Sequence, residues 1–430
     1  MTTAGELLVR WLGVHGIDAV YGKPLPGPTV VEVDDPEVAA KLATAHRRVN
    51  GTAAAAHAGD GRLLVASPEP SAPELAITDP TDLLDADVSL ARGALVLRLD
   101  LDLDAPAPDA IPPPPVRVDS WIEPDPYDLE VMTAARSPVV LAGPDVIQSQ
   151  AVAGLSALAA SASLGVLNTW GAKGVLDWRS RHHWATVGLQ ARDFELGGLA
   201  DADLIVATGL DPDEAPAVRW QLAPSVVARP RSLGPLAERW WRPRLDLAVP
   251  PLRAGLAAVT QQGWSAEVVP LAPTRVTLNY GRSFGPEGLV AADPGVAGYW
   301  VARTFATTEP GAVHVPAQAD AVGFAPACAL VARLRCPSRA VLAVVDGPVA
   351  APVHAVLEAA DHLGVAVPLE AWDPSGPALA PADHLDRLRR LVVAERPQPV
   401  SLATDPAQLS RMVDVAGPVV AWGGSLEGSS

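Results

Sequence analysis

An acidic residue near the C-terminus, Asp346, stands directly after an apolar run of the kind that forms a buried strand. The run covers 340–345, Asp346 and Gly347 make a turn pair, and 351–362 has the apolar spacing of a helix. Carboxylate oxygens are the hard ligands that Mg²⁺ prefers. Asp346 is therefore a candidate metal ligand at the end of a strand.

A second carboxylate, Asp373, follows another apolar run, 365–369, with Trp372 just before it. Its oxygens are equally suited to Mg²⁺. The residues after it, 374–377, are Pro-Ser-Gly-Pro, a combination typical of turns. The two interpretations of Asp373 are a metal ligand and a residue that only begins a turn.

The segments along the whole chain alternate between strand-like and helix-like patterns. This alternation indicates α/β units with parallel sheets that are covered by helices on both faces. The predicted helices are 4–15, 39–57, 151–162 and 351–362. The predicted strands are 17–22, 62–66, 94–99, 138–142, 165–168, 204–208, 288–292, 340–345, 365–369 and 419–422.

Composition excludes several classes of protein. The 430 residues suffice for two or three domains, and 49% of them are hydrophobic, enough for real cores. The formal charge of −17 argues against nucleic acid as a partner, because a phosphate-binding surface needs clustered Lys and Arg. The two cysteines suggest no disulfide framework, and neither a signal peptide nor a membrane span is predicted. We therefore expect a cytoplasmic protein.

A series of short motifs occurs in the order in which one enzyme family has them. They are 15–24 (HGIDAVYGKP), 136–143 (RSPVVLAG), 169–174 (TWGAKG), 186–190 (TVGLQ), 202–209 (ADLIVATG), 292–295 (ADPG) and 322–327 (VGFAPA). With the strand, Asp-Gly turn, helix and strand around Asp346, this order resembles the thiamine diphosphate enzymes of the acetolactate synthase and benzoylformate decarboxylase group. The resemblance extends along most of the chain.

The resemblance implies an α/β fold of three domains in series, each a parallel sheet flanked by helices. The first, a pyrimidine-binding-type domain, is shortened, because the family has further elements between the strands at 62–66 and 94–99. The implied parts are this domain at 1–115, a linker at 116–135, a central Rossmann-like domain at 136–245, a linker at 246–273 and a diphosphate-binding-type domain at 274–430.

The resemblance also implies thiamine diphosphate and Mg²⁺ as cofactors. In the family, the Asp of a Gly-Asp-Gly turn and an Asn after the next strand coordinate the Mg²⁺ that holds the diphosphate. On that pattern the metal ligands here would be Asp346 and Asp373. The cofactor-binding residues would be Gly323, Asp346 and Gly347.

Three departures fall on this chemistry. Val345 stands where the family has the first Gly of the turn. Pro348, after the turn, has no N–H to offer a phosphate. The position of the family Asn falls on Trp372 or Asp373. If it falls on Asp373, a second carboxylate adds negative charge near the diphosphate.

A fourth departure concerns the family Glu that hydrogen-bonds the aminopyrimidine ring and helps to generate the ylide. Its position falls on Asn50, or on Val49 if the comparison slips by one residue. Asn can hydrogen-bond but cannot share a proton as a carboxyl group does. Asn50 is the candidate residue at the catalytic position.

Two functions remain open. One is a thiamine diphosphate-dependent lyase or carboligase that acts on a 2-oxo acid, and the other is a homologue that has lost the cofactor and acts as a scaffold or partner subunit. The family site forms between the first domain of one chain and the third domain of another, so a homodimer or homotetramer is expected.

The adjacent residues His182 and His183 could suggest a metal site. Neighbouring side chains on one element point apart, however, so a solvated pair of loop residues is favoured.

Overall fold

A computed structural model of the chain describes residues 2–25, 29–57, 61–65, 74–85, 95–113, 125–243, 246–285 and 287–428. Residues 66 and 94, predicted as strand ends, and the predicted linker residues 116–124 lie outside these ranges. The chain forms two compact units. The first comprises 1–120, 330–335 and 351–365, and the second comprises 121–329, 336–350 and 366–430.

The first unit contains a six-stranded sheet of order β2-β1-β3-β4-β6-β5. Its strands are β1 (Ile17–Gly22), β2 (Val30–Glu32), β3 (Ala53–His57), β4 (Arg62–Val65), β5 (Glu74–Ile77) and β6 (Leu95–Leu99), and its first helices are α1 (Ala4–Val14), α2 (Pro36–Asn50) and α3 (Asp82–Asp85). The sheet is mixed, since β4 runs antiparallel to β3 and β6 while the other pairs are parallel. The short β3–β4 connection explains this, because a parallel neighbour needs a crossover of about a dozen residues or more.

The helix predicted at 39–57 is wrong for residues 51–57. The helix ends at Asn50 because Gly51 takes the left-handed conformation with φ 71°. The alanines that follow form β3, which pairs with β1 and β4. Pairing inside a sheet has overridden the helix propensity of alanine.

The second unit contains a central sheet of five parallel strands in the order β11-β10-β7-β8-β9. These are β7 (Pro138–Ala142), β8 (Gly165–Thr169), β9 (His183–Val187), β10 (Leu204–Thr208) and β11 (Ser225–Ala228). The accompanying helices are α4 (Pro126–Ala134), α5 (Asp145–Gln148), α6 (Val152–Ser161), α7 (Ala217–Trp220), α8 (Leu233–Arg239) and α9 (Pro251–Trp264). α4 and α9 lie where linkers are predicted, and the domain boundaries stay predictions.

The other sheet of this unit has five parallel strands in the order β13-β12-β14-β15-β16. They are β12 (Leu289–Ala292), β13 (Val313–His314), β14 (Val341–Asp346), β15 (Leu369–Trp372) and β16 (Val400–Leu402). The remaining helices of the chain are α10 (Pro273–Ser283), α11 (Val296–Thr304), α12 (Phe324–Arg335), α13 (Ala351–His362), α14 (Pro381–Val393) and α15 (Ala407–Ala416). Of these, α13 and residues 330–335 of α12 belong to the first unit. Three sheets with helices confirm the predicted α/β class.

Two predicted strands are misplaced. The strand predicted at 365–369 begins only at Leu369, after Pro368. The strand predicted at 419–422 is a single bridge between Val419 and Gln190, followed by a 3-10 segment, Ala421–Gly428. Within the described part of the chain, none of the helices combines the length and apolar character that a bilayer crossing requires.

Candidate functional site

The order of the strands reverses at one place in the last sheet. The first strand, β12, lies between β13 on one side and β14 on the other. In open parallel sheets, ligands bind outside the carboxyl ends of the strands at such a reversal. Asp293 directly follows β12, and Asp346 is the last residue of β14, so two carboxylates stand at this edge.

Asp346 caps the first turn of α11. Its Oδ2 accepts the N–H of Val296 at 2.7 Å, and its Oδ1 accepts the N–H of Ala297 at 2.8 Å. These amides have no partner inside the helix, and the helix dipole favours an anion beside them. Burial raises the pKa of Asp346, and the two bonds oppose the rise. The carboxylate is thus an internal anion at the start of the helix.

The residue before α11 must lack a side chain. Gly295 has φ 132°, a conformation that L side chains rarely adopt. A Cβ at this position would lie 2.1 Å from Asp346 Oδ2. The glycine of the Asp-x-Gly motif therefore allows Asp346 to approach the helix.

Asp293 caps α12 in the same manner. It is 4% exposed, and its Oδ2 and Oδ1 accept the N–H groups of Gly323 at 2.7 Å and Ala325 at 2.6 Å. The amide of Gly323, a predicted cofactor-binding residue, is therefore occupied by Asp293. The sequence signal for Asp293 was its motif, but its role as a helix cap was not predicted.

Gly347 and Asp373 are brought together at the ends of β14 and β15. Gly347 donates its N–H to Trp372 O at 2.8 Å, and a Cβ on Gly347 would lie 2.5 Å from Asp373 Cβ. Asp373 Oδ1 accepts the N–H of Ser375 at 2.8 Å and its hydroxyl at 2.7 Å, and these bonds lower the pKa of Asp373. Asp373 thus begins a turn, which was one of its two interpretations.

The side chain of Trp372 faces the core and belongs to a buried polar chain. Its Nε1 donates to Tyr280 Oη at 2.7 Å, and Tyr280 donates to Glu370 Oε1 at 2.5 Å. Glu370 Oε2 lies 3.0 Å from His384 Nε2. All four residues are at most 4% exposed. If the family Asn position falls on Trp372, it is filled by a core residue. The lone glutamate in an apolar strand was the sequence signal for this network that the sequence analysis did not use.

Asn50, the candidate catalytic residue, is the last residue of α2 and lies beside His46. Its Nδ2 is 3.3 Å from Nδ1 and 3.2 Å from Nε2 of that ring. His46 is also 2.7 Å from Asp18 and 2.8 Å from the hydroxyl of Tyr21. Burial lowers the pKa of His46, and Asp18 opposes the change. Asn50 is thus tied to a histidine of its own unit, and its catalytic role stays a prediction.

His182 and His183 do not form a solvated pair. His182 Nδ1 lies 2.8 Å from Leu164 O. His183 begins β9, and burial lowers its pKa to about 3, with further contributions from Lys173 and Arg253. The interpretation as a solvated loop pair was wrong, because both rings are partly buried against protein groups.

The residues at the edge of the last sheet do not fit a diphosphate held by Mg²⁺. The first amides of α11 and the amide of Gly323 already bind carboxylates. Pro348 has no N–H, and Asp373 Oδ1 is engaged by Ser375. In the ranges that the structure describes, no group of three or more His, Cys, Asp or Glu residues could hold a metal.

Comparison with known proteins identifies the central sheet. Residues 129–227 match the model of the thiamine pyrophosphate enzyme central domain. The match contains β7, β8, β9 and β10 and the predicted motifs within them. Residues 129–227 are therefore similar to the central domain of thiamine pyrophosphate enzymes, which supports membership of the thiamine diphosphate-dependent enzyme superfamily. A comparison with curated proteins gave no match.

Proposed function

We propose that this protein is a superfamily member that has lost the cofactor and acts as a scaffold or partner subunit. The observation that carries the proposal is the capping of α11 by Asp346. A carboxylate of the chain itself supplies the anion at the edge where the family places a diphosphate. The fold at this edge is thereby complete without a ligand.

The strength of this cap indicates how much it weakens diphosphate binding. A phosphate that took the two amides from Asp346 would break this cap, whose loss costs about 0.5–2 kcal/mol, or roughly 2–30-fold in affinity. The displaced carboxylate would also lie near the phosphate as a like charge. Since Pro348 also has no N–H to offer a phosphate, we do not expect binding at ordinary cofactor concentrations.

The test is a calorimetric titration of the full chain with thiamine diphosphate in the presence of Mg²⁺, together with thermal melts. We expect no saturable heat and an unchanged Tm at millimolar cofactor. A bound cofactor would stabilise the folded state by about 2.7 kcal/mol at 100 times its dissociation constant. Mg²⁺-dependent binding with such a rise would overturn the proposal.

A variant separates the two roles of Asp346. If it is a metal ligand, Asp346→Ala abolishes cofactor binding that the unmodified protein shows. If it is a helix cap, there is no binding to lose, and the variant is only less stable. Asp373→Ala is the matched control, because Asp373 lies at the end of the next strand and its carboxylate makes a turn.

The second candidate is a thiamine diphosphate-dependent decarboxylase or carboligase that acts on a 2-oxo acid. The position of Asp346 at the strand reversal favours it, since this is where α/β folds place ligands. Each oxygen of Asp346 accepts one described hydrogen bond, and a carboxylate oxygen can accept a second partner. Turnover of a 2-oxo acid that requires Mg²⁺ and the cofactor would establish it.

A further inference from the structure

β11 is an edge strand of the central sheet, and one of its sides is unpaired. It lies outside β10, with which it pairs in parallel. Ile205 of β10 donates its N–H to Pro224 O at 2.8 Å. Bonds between parallel strands use every second residue, so the main-chain groups of Val226 bond β10 and those of Ser225 and Val227 point away from the sheet. Within the described residues, these outward groups have no hydrogen-bond partner.

The side chains exposed around this edge are largely apolar. Val227 of β11 is 71% exposed, and Val218 and Leu222, in and just after the short helix α7, are 87% and 43% exposed. The stretch 215–228 contains one charged residue, Arg219, which donates to two main-chain carbonyls of the second unit at 2.9 and 2.7 Å. An edge strand without exposed charge is a ready template for pairing with another chain.

Other edge strands of the chain are protected. On β5, Glu74 lies 3.4 Å from Arg62 and 3.2 Å from Arg98, so charged side chains line that edge. On β16, the carbonyl of Ser401 accepts a hydrogen bond from Arg387 at 3.1 Å. Charged side chains and covered main-chain groups keep an edge strand from pairing with another chain. In the part of the chain that the structure describes, β11 has neither protection.

We propose that β11 pairs antiparallel with β11 of a second copy of this chain, about a two-fold axis at Val226. In this register Ser225 of each copy lies opposite Val227 of the other, and each such pair exchanges both of its N–H···O bonds. The two central sheets become one continuous sheet, and both copies contribute the same patch, as a two-fold contact requires. The inference does not depend on whether the protein binds thiamine diphosphate.

The distribution of charge favours a second copy as the occupant of this edge. The chain has a formal charge of −17, so two copies repel each other unless they meet at a face without acidic side chains. The stretch 215–228 contains no Asp or Glu. In the antiparallel arrangement, the exposed Arg229 that follows β11 comes beside the start of β10 in the other copy, where Asp201 and Asp203 are exposed. Such opposite charges fix the orientation of the pairing more than they add affinity.

Positive charges placed at the edge test this pairing. In the double variant Ser225→Lys with Val227→Lys, each lysine lies opposite a lysine of the other copy, which is destabilising across a strand pair. Both positions are exposed in a single copy, so the variant should fold, which circular dichroism checks. Sedimentation of the full chain at micromolar concentration should give half the mass of the unmodified protein. Val249→Lys with Val393→Lys, at two other exposed valines, makes the same change in net charge and should leave the mass unchanged.

Cross-linking identifies β11 as the contact. Val226 lies opposite its own copy in a pair that is not hydrogen-bonded, and the Cα atoms of such pairs are about 4.5 Å apart, within the range that disulfides span. Val226→Cys, combined with Cys336→Ser to remove the exposed thiol, should give a covalent dimer under mild oxidation.

Three results would overturn the inference. The first is a monomeric unmodified protein, which would leave a strand of another protein as the occupant. The second is a mass that the double lysine variant does not change. The third is an oligomeric Val226→Cys variant that yields no covalent dimer.

Discussion

Replacing Asp346 by alanine tests whether this carboxylate is an internal substitute for a bound anion. The change frees the amides of Val296 and Ala297, which Asp346 now holds at 2.7 and 2.8 Å. Loss of a helix cap costs about 0.5–2 kcal/mol. Removing a carboxylate whose pKa is raised by burial returns part of that cost. We expect a net loss of about 1 kcal/mol in the free energy of unfolding.

The same variant should respond to inorganic pyrophosphate. The freed amides at the start of α11 can bind an anion, and a ligand at ten times its dissociation constant stabilises the folded state by about 1.4 kcal/mol. The assay is the urea midpoint, followed by circular dichroism, over a pyrophosphate series at constant ionic strength. Asp373→Ala is the control and should show no pyrophosphate effect. An equal response in the unmodified protein would refute the reasoning, because it would show that these amides are free.

Three further predictions use other parts of the molecule. Burial raises the pKa of Asp346 above its ordinary value of 3.8. The contribution of its protonated form to stability is therefore complete below pH 3.8 and is lost as the pH rises through the pKa of the folded state. In urea unfolding, the free energy of unfolding of the unmodified protein should fall relative to that of Asp346→Asn as the pH rises above 3.8. Asp193→Asn should lower the free energy of unfolding by about 3–5 kcal/mol, because Arg303 is left buried without its partner; Glu195→Gln, at an exposed ion pair, should have a far smaller effect in the same denaturation assay. Light scattering at micromolar concentration should give the mass of a homodimer or homotetramer, and a monomer mass would contradict the family-based expectation.

The sequence predicted the type of element better than its limits. The apolar run before Asp346 is a strand, and 351–362 is a helix, as predicted from an uninterrupted apolar run that ends in a turn and from apolar residues at helical spacing. The apolar residues at 365–368 precede β15 instead of forming it. Burial alone does not distinguish a strand from the segment that leads into it.

Only part of the site could be predicted from the sequence, and the reason is physical. Asp346 was recognised as a site candidate because it ends a buried strand. Its partners could not be predicted, since they depend on the pairing of β14 with β12, which places Asp346 beside the start of α11. The inward direction of Trp372 likewise depends on Tyr280, 92 positions away in the sequence. Local sequence patterns do not predict contacts between distant segments of the chain.

The capping aspartates explain how the edge of the last sheet can be folded without a bound ligand. A helix N-terminus needs acceptors for its first amides, and an empty phosphate site would leave them to water. Asp346 and Asp293 supply these acceptors for α11 and α12 from the chain itself. Selection for stability alone would therefore keep Asp346, whether or not a metal binds. The presence of this aspartate is weak support for catalysis, and its response to pyrophosphate and to cofactor is the decisive property.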